Sequence, residues 1–149
     1  MKLHHITRSV LIAAGVSLGF VSTLAAAVVA GPKGGRLLQA TPHQAEFFVT
    51  TDGIAEVVFY DDAMTPVGPG TQAVAVIADA PAGRTPLEMV ATPTGFQSAQ
   101  PLPDGAPYRV VVQLRATPAA KPQNFRIELN LTECGGCSHA EYACTCEGH

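Results

Sequence analysis

From residue 46 onward, apolar side chains recur at alternate positions in short runs, and Pro, Gly or Asp interrupts each run. Two runs are clearest. Tyr108, Val110, Val112 and Leu114 share one face and Arg109, Gln113 and Arg115 the other, while Phe125, Ile127, Leu129 and Leu131 alternate with Arg126, Glu128 and Asn130. A period of two is that of a strand with one face buried, as in an antiparallel sheet exposed on its other side. Earlier runs at 46–51 and 54–61 flank Asp52 and Gly53, a strong hairpin turn pair. Further runs cover 73–79, 86–92 and 95–102. With turn signals between them and no helical periodicity of useful length, they predict an all-β, immunoglobulin-like antiparallel β-sandwich of about seven strands, with an open barrel as the alternative.

The first thirty positions follow another pattern. Lys2 and Arg8 are basic, Val10 to Ala30 carries no charge, and Ala27 and Ala30 each offer a small residue before a cut. That is the plan of a secretory signal, which places the remainder in the periplasm or outside the cell; an uncleaved N-terminal anchor is the alternative. Residues 31–45, glycine-rich at their start, read as a flexible arm, 46–132 as the sandwich and 133–149 as a separate tail. Without the leader, the net charge of −3 becomes more acidic, because Lys2 and Arg8 leave with it. An acidic domain is a poor partner for nucleic acid or anionic lipid and is compatible with cations.

All four cysteines fall in the tail, as Cys134, Cys137, Cys144 and Cys146, with His139 and His149 among them. The spacing C-x2-C-x6-C-x-C-x2-H supplies two local pairs of sulfurs. A C-x-x-C turn lets two thiolates converge on one ion, and Gly135 and Gly136 suit that turn. Cys144 and Cys146 project to one side of an extended segment and supply the second pair, with His149 competing for a position and His139 in reserve. Thiolate and imidazole form a soft donor set, which predicts one Zn²⁺ or Cu(I) and suits Ca²⁺ or Mg²⁺ poorly. Two disulfides would also account for four cysteines in an oxidising compartment. Thiol–disulfide exchange at Cys134 and Cys137 is a third reading, and it lacks the helix N-terminus that such chemistry uses.

The middle of the chain adds no catalytic constellation, and no enzyme activity is expected. Asp61 and Asp62 read as a solvated turn, His43 as a loop residue and Met89 as core; Asn130 to Thr132 fits a glycosylation pattern that matters only in a eukaryote. Over Gly34 to Leu38, Glu46 to Val49, Val111 to Gln113 and the cysteine tail, the chain resembles uncharacterised small exported bacterial proteins, some associated with heavy-metal efflux. In layout it is similar to CopC-like periplasmic copper-resistance proteins. It lacks the N-terminal histidine and Met-rich loop of that class, so no copper ligand carries over. The resemblance implies metal handling, with an efflux component as partner. The sequence therefore points to an exported soft-metal protein acting as carrier, buffer or efflux accessory. A cross-linked structural sandwich is the alternative.

Overall fold

The computed structural model describes residues 27–146; most of the leader read over 1–30, and His149, lie outside the described residues. Among the described residues ten strands form in chain order: β1 (Arg36–Leu38), β2 (Gln44–Val49), β3 (Ala55–Tyr60), β4 (Pro66–Val67), β5 (Ala73–Ala80), β6 (Gly83–Leu87), β7 (Met89–Thr92), β8 (Gly95–Ser98), β9 (Tyr108–Arg115) and β10 (Gln123–Leu129). One sheet has the order β1-β2-β3-β8-β7, with β4 also paired to β3, and the other has the order β10-β9-β5-β6. All of these pairings are antiparallel. The chain is thus an all-β sandwich, as the alternation predicts.

Alternation places the core. Phe47, Val57 and Phe59 from one sheet pack in a single cluster with Val76, Ala78, Val110, Val112, Ile127 and Leu129 from the other. Removing the larger of these side chains from water contributes about 1.5–3 kcal/mol each, which holds the two layers together. In β9 the predicted inward set, Tyr108 to Leu114, is buried throughout. In β10 it holds for Ile127 and Leu129, whereas Leu131 lies past the strand end and is exposed. The turn at Asp52 and Gly53 joins β2 to β3, Gly53 taking φ +78°.

The strand count exceeds the expected seven by three. β1 and β4 are too short to show a period. The run read as one strand over 86–92 is divided: Leu87 pairs with Val76 in one sheet, and Met89 pairs with Ser98 in the other. Glu88 is where the chain changes layer. Residues 31–45, read as a flexible arm, carry β1 and a hydrogen-bonded turn in which Gly31 N–H donates to Gly35 O at 2.8 Å and Gly34 N–H to Gly31 O at 2.9 Å.

That turn covers Glu46, a fully buried carboxyl on the outward face of its sheet. Lys33 N–H donates to both of its oxygens at 3.0 and 3.1 Å, Gly35 N–H to Oε1 at 2.7 Å and the Tyr60 hydroxyl to Oε2 at 2.8 Å. A buried acid without such donors would be strongly destabilising. The Tyr60 hydroxyl is pushed well above its ordinary range, first by burial and then by Glu46. Among the described residues no helix is long and apolar enough to cross a membrane.

Candidate metal centre

Beyond β10 the chain folds back on itself. Glu133 and Ala140 form an antiparallel bridge, Cys134 N–H donates to His139 O at 2.8 Å and Glu141 N–H to Thr132 O at 2.9 Å. Residues 135–138 are therefore the loop of a small hairpin, with Ser138 at φ +58° reversing the chain. A short 3-10 helix, Glu141–Ala143, follows and returns Cys144 and Cys146 to the loop.

That helix is the anchor of the tail. Tyr142 is buried, its ring meets Phe47 edge-on with centroids 5.9 Å apart, and its hydroxyl accepts the Val49 N–H at 3.1 Å. Burial pushes the phenol up to about 12; the Val49 hydrogen bond opposes the shift and the Glu46 charge adds to it. Tyr142 N–H donates to Asn130 O at 3.2 Å. Tyr142 and Ala143 belong to the same apolar cluster as the strands. The cysteine loop is thus fastened to the sandwich through its core.

The folded tail brings Cys134, Cys137, Cys144 and Cys146 together, with all four sulfurs within 4.8 Å of one another. Cys144 Sγ lies 3.0 Å from Cys134 Sγ and 3.3 Å from Cys137 Sγ, and Cys134 Sγ lies 3.8 Å from Cys146 Sγ. Sulfurs placed tetrahedrally around one ion, each at about 2.3 Å, stand about 3.8 Å apart, whereas bonded sulfurs stand at about 2.05 Å. All four cysteines are free thiols. The spacing suits a shared guest and does not suit pairwise bonds.

Cys134 and Cys144 are buried and Cys137 and Cys146 are half-exposed, so the cage has an inner and an outer pair. Gly136 passes against it: a Cβ there would stand 2.8 Å from Cys146 Sγ, closer than real contacts allow. Backbone N–H groups turn toward sulfur. His139 and Thr145 donate to Cys137 and hold its thiol down to about 6, with burial opposing them. Cys146 N–H reaches Cys144 Sγ at 3.4 Å. Cys144 is nevertheless pushed far up, first by its hydrogen bond with Cys134. Cys146 is also raised: its bond with Cys144 lowers it, and those with Cys137 and Cys134 outweigh that. N–H donation to sulfur spreads thiolate charge and is the usual surrounding of a metal-bound cysteine.

His139 takes part through its backbone. Its carbonyl receives Cys134 N–H and its own N–H serves Cys137, while its Nδ1 lies 3.3 Å from where a Cβ at Gly34 would stand. The imidazole thus lines a groove of about 410 Å³ with Lys33, Phe48 and Tyr142, and it is not one of the four clustered donors. Sequence reasoning missed Tyr142; the signal was an aromatic residue beside Ala143 in an otherwise polar tail. Comparison with protein-family models, curated proteins and solved structures finds no match for this chain.

Proposed function

We propose that this is an exported soft-metal protein that binds one Zn²⁺ through Cys134, Cys137, Cys144 and Cys146 and serves as a carrier or buffer. The observation that carries the reading is the convergence of four free sulfurs at separations close to those of a tetrahedral thiolate site. Zn²⁺ is favoured over Cu(I) on two grounds. It accepts four thiolates tetrahedrally without preference among directions. As a divalent ion it also leaves a cage with two buried sulfurs one charge less negative than a monovalent ion would. An efflux component is the kind of partner that such a carrier serves.

Elemental analysis of protein taken directly from its native compartment, run beside a free-thiol count, tests the reading. The expected result is about one equivalent of zinc, lost in Cys144→Ser because an inner ligand is gone. A metal-free sample lighter by four hydrogens would assign the cysteines to disulfides instead.

Export is supported by the charge pattern of the leader, and the first described residues bear only on where that leader would be cut. Leu37 N–H donates to Val29 O at 2.8 Å and Ala30 bridges to Arg36, so residues 29 and 30 extend the pairing of β1. A cut after Ala27 keeps that pairing and a cut after Ala30 destroys it. Intact-mass measurement on exported protein is expected to show a chain that begins at Val28.

A further inference from the structure

The cage is asymmetric, and the asymmetry has a direction. Cys134 and Cys144 are buried, while Cys137 and Cys146 are half-exposed. The chain between the first two cysteines consists of Gly135 and Gly136, both exposed, and Thr145 between the last two is exposed as well. A Cβ at Gly135 would meet no atom within 4 Å, so the outer side of the loop opens directly to solvent. A metal site that only stabilises a fold is closed on all sides. Here the segments between the paired cysteines carry only Gly135, Gly136 and the small side chain of Thr145.

We propose that the centre passes its ion on by direct exchange of sulfur for sulfur, to an acceptor protein that presents two thiols on an exposed loop and enters over Gly135, Cys137 and Cys146. The proposal rests on the zinc reading above and adds its route and partner class. In the first step the bond from zinc to Cys137 or Cys146 breaks as one to an acceptor sulfur forms. The second outer bond follows, and then the inner pair. The protons of the acceptor thiols end on the released cysteines, zinc remains divalent, and no electrons change hands. Because Tyr142 stays in the core, the inner pair holds the ion until the acceptor has bound it.

The experiment uses zinc-loaded full-length protein and, as probe, a short unstructured peptide carrying two cysteines separated by two residues. Transfer is followed by separating the two species and measuring zinc in each. The expected result is a rate that rises in proportion to peptide concentration. In Gly135→Leu that rate should fall about tenfold through misplaced approach, with zinc content unchanged. Gly135→Ala should fall between the two and guards against a folding defect in the larger variant. A transfer rate independent of peptide concentration, no transfer at all in excess peptide, or equal rates in all three proteins would overturn the route while leaving the zinc site intact. A wild-type protein that takes up no zinc would overturn the underlying reading itself.

Discussion

Two backbone N–H groups acting on one sulfur give Cys137 a pH signature. Its thiol is held down to about 6, against about 8.5 for a free cysteine. A depressed acid favours the folded tail above the free-thiol value, and that contribution fades as the pH falls through about 6. In reduced, metal-free protein Cys137 should therefore react with a thiol reagent at mildly acidic pH, before Cys144 and Cys146, whose thiols are raised. Mapping the alkylated cysteines by mass spectrometry against pH checks this, and Cys144 or Cys146 reacting first would contradict it. The donor types at this site were legible in the sequence because cysteine spacing encodes which sulfurs can meet. The side-chain direction of His139 was not, since it depends on how Ser138 at φ +58° turns the chain and on the space above Gly34. Glu46 shows the same limit. An acidic residue in a run of apolar ones reads as a strand position, and its burial becomes intelligible only when Lys33, Gly35 and Tyr60 are seen to converge on it.

At the scale of elements, the short helix Glu141–Ala143 matters more than its length suggests. It inserts Tyr142 beside Phe47 and Val49, and so couples the cysteine loop to strand β2. Tyr142→Phe keeps the ring and strips Val49 N–H of its acceptor, which should cost about 1–3 kcal/mol in urea denaturation. Tyr142→Ala also empties the ring's volume and should cost about 3–5 kcal/mol, with weaker zinc retention in the same protein. Zinc affinity unchanged in Tyr142→Ala would show that the loop holds its shape alone. Long strands such as β9 and β10 were legible because alternation over seven or eight residues is a strong signal. The division at Glu88 was not, because one charged residue between apolar neighbours fits equally well the outward position of a single continuous strand. Edge strand β6 is mostly exposed and gave no alternation to read.

For the molecule as a whole, ligand binding and stability are the same quantity seen twice. An ion that binds only the folded tail stabilises it by about 4 kcal/mol at a thousandfold excess over its Kd. Stripping zinc with a chelator under reducing conditions should lower Tm by about 10 °C or more, reversibly on adding the ion back. Calorimetry of the two forms checks this, and equal midpoints would mean that the tail and the sandwich unfold independently. The class of fold and the position of the cage were both available from residue order. What sequence alone did not contain was the joint between them, because it is made by one ring from the tail and an N–H from a strand far away along the chain.

That joint has a further result in a living cell. If Tyr142 leaves its seat when the ion is missing, the strands beside it lose their cover and the tail becomes a loose end that a protease can grip. Starved molecules would be cleared and filled ones spared. The amount of protein would then follow the supply of metal through turnover, with no regulator of its gene required.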